Sequence, residues 1–261
     1  MASGGLSKLS GKTAIVVGAS RNIGRAIAVG FAREGADIIG LARDMDALEN
    51  LADQVRSLGR QAHIRQFDVF DSDAYPSLIR WLDERGLDID IVVHTVGGAI
   101  RALSLEDPRI QQLFDDNGGR VPFWKISDED VDRVLTLGVK SAISTCRYLA
   151  PRLMVKGNGS IIVIGSGAGK AGTPVLYADY AAEKGAVMTY VLAIAHELQP
   201  YGVAANCLLP GHTRNHRYPH TRGDPTLAAP EDCVPAAVFL AQQDGHGVTG
   251  QWFEAKSFGT P

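Results

Sequence analysis

The sequence has few cysteines, no long apolar run and no large excess of charge. Cys146, Cys207 and Cys233 are odd in number and widely spaced, so they form neither a disulfide framework nor a zinc pattern and favour a reducing compartment. No segment approaches the ~20 apolar residues that span a bilayer, and the first apolar run, at 13–17, is too short for a signal peptide. A net charge of -3 gives no reason to expect nucleic-acid or membrane binding. We therefore expect a cytosolic protein.

The composition that remains is that of an ordinary globular protein. Hydrophobic residues make up 45% of the 261 residues and charged residues 21%, which leaves ample apolar material for a core. The length fits one large domain or two small ones. Because no repeat, low-complexity tract or linker divides the sequence, we predict one domain over residues 1–261.

Short apolar runs alternate with longer helical patterns along the chain. We predict strands at 13–17, 36–41, 62–66, 89–94, 160–164, 203–208 and 249–254, and helices at 23–34, 45–58, 72–85, 127–155, 178–199 and 231–242. The runs are continuous rather than alternating in polarity, which is typical of strands buried on both faces of a parallel sheet. The pattern therefore predicts an α/β fold: a Rossmann-type, doubly wound parallel sheet of about seven strands, with helices on both faces.

Two long connections interrupt this alternation. Residues 98–126 contain the turn signal Asp115-Asp116-Asn117-Gly118-Gly119, and residues 210–230 are rich in His, Arg and Pro. Both follow predicted strand ends, where open α/β sheets bind ligands, and loops of this length are usually functional lids or disordered. We expect an insertion near 98–126 and a substrate loop near 210–230.

A glycine-rich turn follows the first strand. It reads Gly18-Ala19-Ser20-Arg21-Asn22-Ile23-Gly24 and leads into a helical run. Glycines here allow a tight turn and close approach of the backbone to a pyrophosphate, which then lies at the positive helix N-terminus. An ordinary tight turn is the alternative, but the strand–turn–helix context favours a dinucleotide site.

The end of the second strand indicates which dinucleotide binds. An acidic residue there binds the ribose 2′-hydroxyl of NAD, whereas arginine accommodates the 2′-phosphate of NADP. This chain has Leu41-Ala42-Arg43 before Asp44, and Arg21 in the turn can supply a second positive charge. The sequence favours NADP(H), unless both arginines are merely solvated or Asp44 turns inward.

Tyr180 and Lys184 are the main candidates for the chemistry. Four residues apart on a helix, their side chains share one face. A phenol near a positive charge is a plausible proton donor to a carbonyl, because the charge lowers a pKa that is ordinarily about 10. The same spacing is also common on solvated helices.

With these residues assembled, the chain resembles the short-chain dehydrogenase/reductase family over about residues 9–253. The corresponding motifs are Gly18, Ile23 and Gly24 in the turn, Asp68-Val69, His94-Thr95-Val96-Gly97, Ser166, Pro210-Gly211 preceded by Asn206, and Thr249-Gly250-Gln251. The resemblance implies that Tyr180 transfers a proton to or from the substrate oxygen. It also implies that Lys184 lowers the pKa of Tyr180 and holds the nicotinamide ribose, and that Ser166 positions the substrate.

The resemblance also implies a cofactor site and an oligomer. The expected cofactor-binding residues are Gly18, Ser20, Arg21, Asn22, Ile23, Gly24, Arg43, Asp68, Val69, His94, Val96, Gly97, Tyr180, Lys184, Pro210, Gly211 and Thr213. Family members commonly form tetramers or dimers through the helices predicted at 127–155 and 178–199.

Three departures from the family pattern are notable. Asn22 replaces the middle glycine of the turn, which asparagine tolerates because it accepts left-handed backbone. The family's Asn-Asn-Ala-Gly signature corresponds to His94-Thr95-Val96-Gly97 in this chain, and only its glycine is kept. Gly138 stands where the family has a catalytic asparagine that helps to hold a water in a proton relay. Either Gly138 permits the same helix kink, or the relay is impaired.

The substrate side is less defined. His212, His216 and His220 would align on a helix, but Pro219 interrupts it and no carboxylate or thiol accompanies them, so we predict no metal site. A basic lid over the active site and a solvated surface loop are both consistent with this run. Phe114, Phe123 and Trp124 are candidates for apolar substrate contacts or an oligomer contact.

The sequence thus predicts an NADP(H)-dependent oxidoreductase that interconverts a carbonyl and a secondary alcohol, with Tyr180, Ser166 and Lys184 as catalytic residues. Its partner is a small-molecule carbonyl or alcohol, and reduction is the expected direction because cells hold NADPH reduced. The alternative is a catalytically impaired nucleotide-binding sensor or scaffold on the same fold. Gly138 and the altered signature motivate that alternative.

Overall fold

The computed structural model describes residues 7–98, 108–117, 122–170, 178–214 and 224–258. Its strands are β1 Thr13–Val17, β2 Asp37–Ala42, β3 Ala62–Gln66, β4 Ile91–His94, β5 Gly159–Ile164, β6 Val203–Leu209 and β7 Trp252–Glu254. Its α-helices are α1 Asn22–Arg33, α2 Met45–Ser57, α3 Ala74–Glu84, α4 Pro108–Asp116, α5 Asp128–Leu135, α6 Ser141–Lys156, α7 Ala178–Leu198 and α8 Val234–Ala241. Thr136–Lys140 is a π-helical turn, and 3-10 helices cover Phe123–Lys125, Gly167–Gly169, Gln199–Tyr201, Pro230–Cys233 and Ala255–Ser257.

The seven strands form one parallel sheet in the order β3-β2-β1-β4-β5-β6-β7. The strand order reverses between β1 and β4, which gives the doubly wound arrangement and opens a crevice at their carboxyl ends. In the register of the sheet, His94 at the end of β4 pairs with Val17 of β1 and Val163 of β5. The predicted α/β fold is confirmed, with every strand within three residues of its expected bounds.

Successive side chains of β1 enter opposite faces of the sheet. Ala14 and Val16 belong to the core that packs against α1, α2 and α8, whereas Ile15 and Val17 belong to the core that packs against α3, α6 and α7. Because helices cover both faces, the central strands β1, β4, β5 and β6 consist mostly of buried apolar residues.

The helix predicted over 127–155 contains a π-helical turn. The π-helical turn Thr136–Lys140 separates α5 from α6, and Gly138 is buried within it. Such turns are rare and often occur at functional sites. The predicted helix is therefore present over residues 128–156, with a π-helical turn around Gly138 inside it. The effect of Gly138 on a proton relay stays a prediction.

Part of the connection 98–126 is helical. Helix α4 covers Pro108–Asp116, and the guanidinium of Arg109 donates to both carboxylate oxygens of Asp130 on α5, at 3.0 and 2.9 Å. This ion pair holds α4 against the main body. Residues 99–107 and 118–121 of the connection lie outside the described ranges. Across those ranges, no helix is both long and apolar enough to cross a bilayer.

Candidate active site

Tyr180 and Lys184 lie at the start of α7, beyond the carboxyl end of β5. The helix is held against the sheet by the buried side chains of Val187, Met188 and Val191. The Lys184 ammonium donates to the carbonyl oxygen of Ile164 at 3.2 Å and lies 5.7 Å from the centre of the Tyr180 ring. The structure therefore brings the two side chains together at a strand end.

The environment of Lys184 affects its charge. Burial by itself lowers the pKa of this ammonium, but the negative charges beside it, Glu183 first, outweigh that effect and raise the pKa above its usual value. Lys184 therefore remains a cation although it is only 5% exposed. A buried cation beneath a phenol stabilises the phenolate that forms when the phenol gives up its proton.

Ser166 lies two residues beyond β5, on the loop that faces α7. Its hydroxyl oxygen accepts a hydrogen bond from the backbone N–H of Ala168 at 3.2 Å, which fixes the side chain at the start of the 3-10 turn Gly167–Gly169. A Cβ at Gly169 would lie 2.6 Å from the carbonyl carbon of Lys184, so this turn touches the backbone of α7. The loop of Ser166 and the helix of Lys184 thus form one packed unit.

The glycine-rich turn has the close contacts that a nucleotide site requires. Gly18 has φ +93°, and a Cβ there would lie 2.3 Å from the Thr95 hydroxyl oxygen. A Cβ at Gly24 would lie 2.2 Å from the carbonyl oxygen of Gly18. Asn22 adopts φ 47°, the left-handed backbone expected of it. Helix α1 begins at Asn22 with no acidic residue in its first turn, which suits a phosphate at the helix N-terminus. The residues present therefore fit a dinucleotide pyrophosphate.

The residues after β2 are held in defined positions. Arg43 is exposed, and its carbonyl oxygen accepts from the side-chain amide of Gln66 at 3.0 Å. Asp44 caps helix α2, because its Oδ1 accepts from the backbone N–H of Ala47 at 3.0 Å. Arg21, which precedes α1, is also exposed. Asp68 is half-buried after β3, and its Oδ1 accepts from the backbone N–H of Phe70 at 3.1 Å.

The segment after β4 packs against the glycine-rich turn 18–24. The Thr95 hydroxyl donates to the carbonyl oxygen of Val17 at 2.9 Å, which joins β4 to β1 under Gly18. The side chain of His94 is buried and contacts Thr145 and Ser141 of α6. The imidazole therefore points into the protein, and the predicted contact of His94 with a cofactor stays a prediction. Val96 and Gly97 continue the segment towards α7.

The end of β6 forms the remaining wall. Pro210 is buried, and the Thr213 hydroxyl lies 3.3 Å from the carbonyl oxygen of Gly211. Thr213 pairs with Ala228 in an isolated bridge, which fixes the start of the predicted substrate loop. His216, Arg217, His220 and Arg222 lie outside the described residues, as does the side chain of Phe114. Phe123 and Trp124 are 66% and 72% exposed.

Glu183 is a site residue that the sequence reasoning missed. Its side chain is completely buried, and its Oε1 lies 3.2 Å from the Lys184 ammonium. This contact is an ion pair without hydrogen-bond geometry, because Oε1 has no hydrogen-bond partner among the described residues. The sequence feature that could have pointed to Glu183 is Gly138. A glycine inside a helix lowers helix stability by about 1 kcal/mol relative to alanine, so its presence there indicates a packing constraint.

Comparisons with known proteins identify the family of the chain. A family model described as short chain dehydrogenase matches residues 12–219. The chain is 29% identical to the cyclohexanol dehydrogenase of Rhodococcus sp. (strain TK6), with 93% of each chain covered. It is 30% identical to the 2-dehydro-3-deoxy-D-gluconate 5-dehydrogenase of Pseudoalteromonas atlantica (strain T6c / ATCC BAA-1087), again with 93% of each covered.

A solved structure gives the same result for the fold. The crystal structure of a candidate NAD(P)-dependent gluconate 5-dehydrogenase from Beutenbergia cavernae, with NADP bound at low occupancy, is 29% identical in sequence to this chain. The two superpose with a TM-score of 0.79 over 96% of this chain and 97% of that one. The likeness therefore extends over nearly the whole length.

Proposed function

The chain belongs to the short-chain dehydrogenase family and is an oxidoreductase, and we propose that it interconverts a carbonyl and a secondary alcohol with NADP(H). One observation carries the proposal: the ammonium of Lys184 is buried 5.7 Å from the centre of the Tyr180 ring. A phenol in that position can give up and regain a proton at the sheet edge where α/β folds bind their ligands.

Tyr180 acts as the general acid during reduction. Its hydroxyl donates a proton to the substrate oxygen as the carbonyl becomes an alcohol, and the Lys184 cation stabilises the phenolate. In the reverse direction the phenolate accepts the hydroxyl proton. Ser166 donates a hydrogen bond to the same substrate oxygen. Its hydroxyl hydrogen can do so because the hydrogen bond from the backbone N–H of Ala168 occupies only one lone pair of the hydroxyl oxygen. When bound, the nicotinamide supplies or accepts the hydride.

The preference for NADP(H) rests on three side chains. Arg43 and Arg21 are exposed at the two positions that border the adenosine ribose in this fold, where their guanidinium groups would bind a 2′-phosphate. The carboxylate of Asp44, which would favour NAD by binding the 2′-hydroxyl, instead caps α2 through Ala47. The bound NADP of the Beutenbergia cavernae structure supports the same assignment.

The substrate class is a secondary alcohol on a ring or a sugar acid, together with the corresponding ketone. The relatives carry names of enzymes that act on cyclohexanol and on gluconate derivatives. Arg214 stands at the start of the predicted substrate loop and is held by its backbone N–H, which donates to the carbonyl oxygen of Ala228 at 2.9 Å. Its guanidinium is a candidate partner for a sugar-acid carboxylate.

We also propose that the chain forms a homodimer or homotetramer through α5, α6 and α7. Val131 and Leu135 of α5 are 38% and 40% exposed, although both are apolar. On α7, Ala182, Ala186 and Ala193 are exposed on one side, and such small side chains let another helix approach closely. Light scattering after gel filtration tests this: a monomer at micromolar concentration would exclude it.

NADPH oxidation with a panel of ketones tests the function. The panel includes cyclohexanone and keto forms of gluconate, with NADH as the alternative reductant. We expect ketone-dependent oxidation of NADPH by the wild-type protein. Tight NADPH binding without turnover of any ketone would favour the sensor or scaffold, the alternative that the replacement of the family asparagine by Gly138 motivates.

A further inference from the structure

Glu183 occupies the space beside Gly138 that a larger residue at position 138 would require. A Cβ built on Gly138 would lie 2.0 Å from Oε1, 2.2 Å from Cδ and 2.2 Å from Cγ of Glu183. We propose that Glu183 is the positioning residue for Lys184 in this chain, and that its side chain, which extends from α7, occupies the place of the family asparagine that the π-helical turn lacks. This inference rests on the proposed function, since it assigns a role in that reaction.

Glycine backbone surrounds the carboxylate. The backbone N–H of Gly98 donates to Oε2 at 3.2 Å. A Cβ at Gly97 would lie 2.5 Å from Oε1 and 2.8 Å from the Lys184 ammonium nitrogen. Gly97 and Gly138 thus leave a space that the Glu183 side chain fills, and a side chain at position 138 would displace it.

The contact between Glu183 and Lys184 has a specific electrostatic effect. Titratable side chains act on the ammonium from three elements: Tyr180 and Glu183 on α7, His94 on β4, and Cys207 on β6. Burial lowers the pKa of His94 to about 3 and raises the pKa of the Cys207 thiol to about 12, so both are neutral near pH 7. The Glu183 carboxylate therefore supplies the opposite charge that keeps a buried lysine protonated.

This pairing has a consequence for proton transfer. A positive charge beneath the ring of Tyr180 stabilises the phenolate that forms as the proton passes to the substrate oxygen. Glu183 holds that charge in place from one side, and the carbonyl oxygen of Ile164 holds it from the other. Glu183 itself need not change its protonation state during the reaction.

A cycle of variants tests the packing without any assay of activity. Gly138→Ala is measured by urea unfolding in the wild-type background and in the Glu183→Ala background. We expect a clearly lower midpoint in the first background, because the new methyl group overlaps the carboxylate. In the second we expect no loss, since alanine is the better helix former once the space is empty. Equal losses in both backgrounds would overturn the inference.

The pH profile tests the charge. In the reducing direction we expect the rate to fall at high pH, where Lys184 loses its proton and no longer stabilises the phenolate. Glu183→Gln keeps the shape of the side chain and removes the charge. We therefore expect the alkaline limb of the kcat/KM profile to shift to lower pH by about one unit or more. Glu197→Gln, an exposed glutamate on the same helix, is the control and should leave the profile unchanged.

The outcomes separate the two proposals. An active wild type whose alkaline limb is the same in Glu183→Gln contradicts the role of Glu183 and leaves the proposed function standing. A wild type that reduces no ketone contradicts the proposed function, and the unfolding cycle then decides by itself whether Glu183 takes the place beside Gly138.

Discussion

The imidazole Nδ1 of His94 lies 2.9 Å from the hydroxyl oxygen of Thr145, and its Nε2 lies 3.2 Å from that of Ser141. The Tyr75 hydroxyl meets Thr145 at 2.8 Å on the other side. Three buried hydroxyl groups and one imidazole thus join β4, α3 and the start of α6 directly behind the candidate site. Burial first, and the positive charge of Lys184 second, lower the pKa of His94 from 6.5 to about 3.

This shift predicts a loss of stability in mild acid. As the pH falls below about 6.5, the unfolded chain protonates His94 while the folded chain does not, until the pH nears 3. The unfolded state then binds more protons, so the free energy of unfolding falls by roughly 1 kcal/mol per pH unit for this one group. Urea unfolding of wild type and His94→Asn from pH 7 to pH 5 measures the difference. The slope should be shallower in the variant, and equal slopes would contradict the burial of a neutral imidazole.

Gly24 is predicted to be essential for both packing and nucleotide binding. In Gly24→Ala the new Cβ would lie 2.2 Å from the carbonyl oxygen of Gly18, so the turn must open, at a cost of about 1–3 kcal/mol in stability. Gly30→Ala on the same helix is the matched control, because the atoms nearest to its Cβ belong to the Val234 side chain, the first at 2.4 Å. Both variants should lose stability, but only Gly24→Ala should lose NADPH binding in a fluorescence titration. Normal NADPH binding by a folded Gly24→Ala protein would exclude the turn as the pyrophosphate site.

Arg43 is predicted to select the cofactor. Arg43→Ala should weaken NADPH binding about tenfold or more, since a hydrogen bond to a charged group contributes about 1.5–3 kcal/mol, and should leave NADH binding nearly unchanged. Arg33→Ala, an exposed arginine at the far end of α1, should change neither. Calorimetric titration with the two dinucleotides measures both effects. Equal losses for NADPH and NADH in Arg43→Ala would remove the 2′-phosphate assignment.

The sheet was predictable because its physical signal is local. Strands covered on both faces are runs of mostly apolar residues, as in β1, which was predicted with its observed bounds. The more polar edge strand β3 was also predicted with its observed bounds. Helix α4 was missed because the strong turn signal at 115–119 dominates its short sequence, although the helix ends only at Asp116. The turn prediction itself was correct, because α4 ends at Asp116, inside the predicted turn 115–119.

The part of the site formed by residues close in sequence was predictable. The part formed by contacts between residues far apart in sequence was not. Tyr180 and Lys184 meet because they lie one helical turn apart. Glu183 meets Gly138 across 45 positions (183 minus 138), and a glutamate three residues after a tyrosine is indistinguishable in sequence from one on a solvated face. The π-helical turn was hidden for the same reason, because it depends on packing against α7.

The reaction itself tests the role of Tyr180 most directly. Tyr180→Phe keeps the ring above Lys184 and removes only the hydroxyl, so the protein should still bind NADPH through the other expected cofactor-binding residues. The rate of NADPH-dependent ketone reduction should fall about 100-fold to 10,000-fold, the usual contribution of a general acid. Measured kcat together with the NADPH dissociation constant gives the answer. A Tyr180→Phe protein that reduces ketones as fast as wild type would contradict the account.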